Sequence, residues 1–199
     1  DIGDRLLRAF DTPTGIPRAQ VNLNSGRSAN ARWAGSSSIL AELGTLQVEY
    51  RYLAKHTGER RFDEKTSKVH GVVRSRARTW HGLYPIYINP TTGRNNNQYI
   101  TFGALGDSYY EYLLKIYLQG GRVPKEGQYW TDYERAMDGM IGYLVQASSP
   151  SGLAFVADWT GSSIKRKMDH LVCFVPGMLA LGAYRAPDSY PRAKRERDL

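Results

Sequence analysis

Asp107, Glu111 and Lys115 stand at i, i+4 and i+8, so a helix through them would carry two carboxylates and an ammonium on one face. One reading of this face is a solvated helix. Asp107 would favour the positive end of the dipole and Glu111 would pair with Lys115. A second reading is chemical. Tyr109, Tyr110 and Tyr112 surround the acids, and Gly103 and Gly106 just upstream permit close approach of another segment or a ligand. Carboxylates among aromatic rings suit a sugar site, where acids contact hydroxyls and move protons while ring faces meet apolar patches of the pyranose. Glu42 interrupts an apolar helical stripe beside Leu43, either as a boundary salt bridge or as a site residue. Asp169 and His170 sit between a basic run, Lys165-Arg166-Lys167, and the apolar Leu171-Val172-Cys173-Phe174. They are either hydrogen-bonded structural residues or part of a site. No Gly-x-Ser-x-Gly elbow, phosphate loop or dinucleotide fingerprint is present.

The elements that must position these groups read as helical hairpins. Residues 1–10 resemble the last turns of a helix, and 11–35 form a long Pro- and Gly-punctuated stretch whose Val21, Leu23 and Trp33 favour order. Ser36-Ser37-Ser38 offer N-cap hydroxyls to a helix whose stripe is Ile39, Leu43, Leu46, Tyr50 and Leu53, stopped at Thr57-Gly58. A basic helix is predicted over 61–79, and a hairpin over 83–101 around Pro90-Thr91-Thr92-Gly93. Asp107 opens a helix that Gly120-Gly121 ends. A further helix is predicted over 129–146, a second hairpin including 153–159, and a last helix from Pro176 to Ala186. Helix, helix, hairpin, repeated twice, describes an αα-hairpin array with small β-hairpins at one rim.

Composition sets the outer bounds. At 199 residues, with 41% hydrophobic and 23% charged side chains, the chain is an ordinary globular domain. No run is long and apolar enough to span a bilayer. The start at Asp1 reads as a mature piece or a fragment, with any targeting segment lying outside it. The net charge of +8 raises nucleic acid as a partner. The excess collects in Lys55 to Arg78, read as a solvated helix face, and in Arg192 to Arg197, read as a frayed tail; no nucleic-acid motif accompanies it, so that partner is excluded. The single cysteine, Cys173, excludes an internal disulfide and leaves a buried thiol or half of a bridge to an absent partner. The four histidines show no close metal-ligand spacing, and no N-glycosylation sequon occurs.

Four segments carry a resemblance. They are Phe10-Asp11-Thr12-Pro13-Thr14-Gly15-Ile16-Pro17 with Val21-Asn22, Ala41-Glu42-Leu43-Gly44-Thr45-Leu46, Gly106-Asp107-Ser108-Tyr109-Tyr110-Glu111-Tyr112-Leu113-Leu114-Lys115, and Lys167-Met168-Asp169-His170-Leu171-Val172-Cys173-Phe174. In this order and spacing the chain resembles the class I α-1,2-mannosidases of glycoside hydrolase family 47. The likeness covers nearly all 199 residues and fades in the basic tail of 187–199.

The resemblance implies a fold that is all-α with small β-hairpins, an incomplete (αα)7 toroid, and a partial catalytic domain over residues 1–199. It implies removal of terminal α-1,2-linked mannose from high-mannose N-glycans with inversion. Asp107 matches a catalytic carboxylate suited to general acid work through a water. Glu111, Glu42, Asp169, His170 and Trp33 match pocket or substrate-approaching positions. Leu105 matches a position tied to branch preference, where Leu resembles Golgi-type enzymes and Arg the endoplasmic reticulum type. Calcium is the implied cofactor, with its direct ligand and two further catalytic carboxylates outside this chain and no metal ligand within it. Cys173 matches half of a disulfide. The resemblance implies a membrane-anchored parent in the lumen of the endoplasmic reticulum or Golgi, no membrane contact by this segment, and a 199-residue piece inactive by itself. The alternatives are a lectin-like mannose-binding relative acting in glycoprotein quality control, and a helical-repeat scaffold that binds proteins by its rims.

Overall fold

The computed structural model describes residues 1–198. Helix α1 (Ile2–Leu6) runs into a 3-10 turn (Leu7–Phe10). The stretch that follows is ordered by its own small residues: Thr14 is buried and donates to the Pro90 carbonyl at 2.6 Å, and Ile16 is fully buried. A two-stranded ribbon, β1 (Gln20–Val21) with β2 (Ser28–Ala29), closes its tip.

The predicted helix from residue 36 to 57 is three elements. Ser38–Ile39 is a strand, β3, paired antiparallel with β4 (Tyr87–Ile88). The serine hydroxyls are spent on neighbouring loops: Ser38 donates to Pro17 O at 2.7 Å, and Ser37 accepts from Asn96 at 2.8 Å. Helix α2 (Leu40–Gly44) then breaks at Thr45 before α3 (Gln47–Thr57). The buried side chain of Gln47 patches the break. Its oxygen accepts from Leu46 N, and its amide reaches Leu43 O and Thr66 O. Such a patch satisfies backbone groups that a break would otherwise orphan. The hydrophobic stripe survives the break, which is why periodicity alone reads it as one helix.

Gly58, at φ 75, ends α3. Helix α4 (Arg61–Arg76) folds back along it and is clamped by Arg51, which pairs with Asp63 on α4 at 3.1 Å and with the buried Glu126 at 3.2 Å. It stops short of the predicted residue 79 because the Asn95 side chain takes both the N–H and the carbonyl of Arg78. The turn at 90–93 is present, closed by Gly93 N to Asn89 O at 2.8 Å, with Ile88 bridging Asn95. The partner of β4 as a strand is nonetheless β3.

Helix α5 (Asp107–Gln119) lies at the centre, packed against α2, α3, α6 and α7. Its stripe of Tyr110, Leu113, Leu114 and Tyr117 is buried, as its spacing predicts. The Tyr110 hydroxyl accepts from Tyr84 N at 2.9 Å and lies 3.3 Å from Tyr84 O. Tyr110→Phe is expected to cost about 1–3 kcal/mol in urea unfolding, because a buried N–H would lose its acceptor. An unchanged midpoint would show that the bond is dispensable.

Helix α6 (Gly127–Gly139) continues as a π turn (Met140–Leu144), and β5 (Val145–Ala147) takes up the last residues predicted as helix by pairing with β6 (Ala154–Val156). A further ribbon pairs β7 (Asp158–Trp159) with β8 (Ile164–Lys165). A 3-10 turn (His170–Phe174) leads into α7 (Val175–Arg185), with Pro176 in its first turn. The tail read as frayed is instead a docked helix, α8 (Arg192–Asp198). Lys194 pairs with Glu134 and Asp138 at 2.7 and 2.6 Å, Arg197 pairs with Asp138 at 2.8 Å, and Tyr190 donates to Asp198 at 2.7 Å. Basic residues that look solvated in sequence thus have acidic partners on α6.

Candidate active site at the start of the central helix

Asp107 is the first residue of α5 and is half-buried. Its Oδ1 accepts from Ser108 N at 2.8 Å. Burial nevertheless raises its pKa above the ordinary carboxylate value, with smaller upward contributions from the charges of Glu111 and Asp169. The hydrogen bonds from Ser108 oppose the shift and lose to desolvation.

Four close approaches converge on this helix end. Gly103 leaves space that Asp169 occupies: a Cβ there would sit 2.5 Å from Asp169 Cβ. Gly106 lies against the Thr101 carbonyl, where a side chain would collide. The amide of Ala41, in the first turn of α2, donates to Leu105 O at 3.0 Å, and Gly44 packs against the ring of Tyr109. These contacts hold the segments bearing Glu42, Asp107 and Asp169 together. Leu105 makes its contact from a left-handed backbone at φ 78, a conformation uncommon for a side chain of this size.

The other candidate residues divide. Glu111 stays within electrostatic reach of Asp107 and also forms the helical pair with Lys115, at 2.7 Å. The helical ion pair of the solvated reading is therefore made. Glu42 has a raised pKa from burial alone, and among the described residues it forms no ion pair, so the boundary salt bridge is not made. It also lines a cavity of about 360 Å3 with Phe10, Pro17, Val21 and Tyr50, and none of the other candidate residues lines that cavity. Asp169 caps the turn after it by accepting from Leu171 N at 3.0 Å, and the adjacent His170 is exposed. Trp33 is 66% exposed on a 3-10 turn (Arg32–Ala34) just upstream of β3. Cys173 is an exposed free thiol, so the buried-thiol alternative is set aside. Among the described residues no group of three or more His, Cys, Asp or Glu is placed to hold a metal ion. No calcium-dependent step is therefore assigned to this chain.

Sequence reasoning passes over Tyr99 and Asp158. Tyr99 donates to the buried Asp158 at 2.6 Å; burial raises the phenol pKa first, this bond raises it further, and the charge of Asp169 adds to the shift. Only the alternation of 98–101 hints that Tyr99 turns away from Gln98 and Ile100.

The chain is similar to known proteins along nearly its whole length. The family model for glycosyl hydrolase family 47 matches residues 1–197. A mannosyl-oligosaccharide 1,2-alpha-mannosidase of Arabidopsis thaliana is 44% identical over 184 residues, covering 92% of this chain and 32% of the relative. The human endoplasmic reticulum mannosyl-oligosaccharide 1,2-alpha-mannosidase is 40% identical over 198 residues, covering 98% and 28%. The solved structure of an alpha-1,2-mannosidase from Trichoderma reesei superposes with a TM-score of 0.83 at 28% identity, over 92% of this chain and 37% of that one. The chain thus spans about a third or less of the relatives it matches. With the family model running almost end to end, the chain belongs to glycosyl hydrolase family 47.

Proposed function

We propose that the full-length protein hydrolyses terminal α-1,2-linked mannose from high-mannose N-glycans with inversion, and that residues 1–199 form part of its catalytic domain, an (αα)7 toroid. The observation that carries this reading is Asp107. It is a half-buried carboxylate with a raised pKa, held at a helix start where the segments of Glu42 and Asp169 meet. Inversion needs an acid that stays protonated long enough to serve the leaving oxygen, and a second carboxylate roughly 6.5–9.5 Å away to activate water. Burial moves Asp107 in that direction, and the proton would pass directly or through a water. Glu111, Asp169 and His170 contribute polar groups to sugar hydroxyls, Glu42 stands on the segment bonded to Leu105, and Trp33 and Leu105 approach the substrate. Calcium, a disulfide through Cys173 and residence in the endoplasmic reticulum or Golgi lumen belong to the same proposal for the whole protein. No helix among the described residues is long and apolar enough to cross a membrane.

The 199-residue piece alone is proposed to be inactive. In support, it spans a third or less of its relatives, and α7 leaves Leu181 and Tyr184 exposed, Tyr184 by 72%, as a helix does when its packing partner lies elsewhere. Proton NMR of a high-mannose glycan tests both statements side by side. The full-length protein with calcium is expected to release mannose first as the β anomer, and the piece to release none. Initial α-mannose would overturn inversion. Absence of release by the full-length protein, with glycan binding retained, would favour the lectin-like reading.

A further inference from the structure

The extended segment 98–101 has two faces. On one, Tyr99 meets Asp158 and feels the charge of Asp169. On the other, Gln98 and Ile100 line a cavity of about 380 Å3 together with Arg78, Trp80, Asn97 and Trp159. Its aromatic wall is rigid. The indoles of Trp80 and Trp159 are parallel, with centroids 4.3 Å apart and planes within 4°. Tyr143 packs on Trp80 at 5.3 Å and His81 stacks on Tyr143 at 3.6 Å. Trp159 is fixed by two backbone bonds to Ile100, at 2.8 and 2.9 Å. The next residue, Thr101, meets Gly106 and bonds to Gly103 N at 2.8 Å, so the cavity is tied through the main chain to the loop before Asp107.

Groups suited to hydroxyls line the same cavity. Arg78 and Gln98 are exposed, and Asn97 adds a further amide, its oxygen 3.4 Å from Tyr87 N. A pre-formed cavity with an aromatic wall, a few planar amides and one guanidinium is built for a ligand with apolar C–H faces and a rim of neutral hydroxyls. We infer that this cavity is an accessory carbohydrate subsite that takes a pyranose of the glycan other than the one cleaved. The inference rests on the glycan-processing reading above and adds where a second part of the same substrate is held. Ordered rings lose little entropy when they dock a sugar, so the site adds affinity for extended glycans and gives nothing to short ones.

The test is the double variant Arg78→Ala with Gln98→Ala in the full-length protein, both side chains being exposed and separate from the core. The ratio of kcat/KM for a high-mannose glycan to that for methyl α-1,2-mannobioside should fall about tenfold relative to the unmodified protein. An unchanged ratio would overturn the subsite while leaving the proposed hydrolysis intact. If the unmodified protein cleaves neither substrate, the function reading has failed, and the subsite is read by indole fluorescence. A saturable change with the high-mannose glycan that the double variant loses supports the subsite, and no change, or one retained by the variant, refutes it.

Discussion

Asp107→Asn in the full-length protein is expected to slow mannose release by about 10²–10⁴-fold, the range for loss of a positioned general acid. An amide matches the carboxylate in size, and its oxygen can still accept from Ser108 N at 2.8 Å, so the start of α5 should stand. What is lost is the proton. The same substitution should not destabilise the protein at neutral pH. The native pKa of Asp107 lies above its ordinary value, chiefly by desolvation, so ionisation opposes folding, and stability falls as pH rises between the unfolded and folded pKa values. Removing the carboxylate therefore stabilises above that window and changes nothing below it. Reduced turnover with an unchanged or higher melting temperature is the joint signature. A loss of turnover below tenfold would take Asp107 out of the chemistry.

His70→Leu should flatten the acid limb of the stability curve by up to about 5 kcal/mol. His70 is fully enclosed on α4, stacked on Tyr109 with centroids 5.3 Å apart and met edge-on by Tyr129 at 5.4 Å. Burial lowers its pKa from 6.5 to about 3. The Gly44 carbonyl tempers the shift without a well-formed hydrogen bond, and Arg51 and Arg74 reinforce it. The unfolded chain takes up a proton below pH 6.5 that the native chain refuses until about 3, so stability is complete above the first value and is lost as pH falls toward the second. Leucine fills a similar volume and carries no basic nitrogen. Urea unfolding at pH 7 and pH 4.5 should show the difference between the two pH values shrinking in the variant. Parallel losses in both proteins would show that another group governs acid sensitivity. The ring also stacks on Tyr109, two residues from Asp107, so its ionisation would put a charge against the first turn of α5.

Most of the helical framework was legible because its signals are local. The stripe on α5, the stop at Gly58 and Pro176 in the first turn of α7 each depend on residues a few positions apart. The misreadings involve distant partners. Ser37 and Ser38 look like helix caps until Asn96 and Pro17 are seen to hold them, and the basic tail looks frayed until Glu134 and Asp138 face it. The site follows the same division. Spacing puts Asp107 and Glu111 on one helix face without saying whether that face is solvated or a site, and the glycines at 103 and 106 announce a close approach without naming Asp169 or Thr101 as the neighbour. Nothing in spacing brings Trp80 to Trp159, since that pair is made by one bridge between Ile100 and a strand nearly sixty residues later.

The bond from Ala41 to the carbonyl of Leu105 ties the two acid-bearing segments through main chain, beside the packing of Gly44 on Tyr109. The left-handed turn that aims this carbonyl is held with leucine at 105, in a backbone region that bulky side chains rarely adopt. An exchange of the side chain at 105 leaves this main-chain bond in place, so the registration of the Glu42 segment with the start of α5 is expected to survive it.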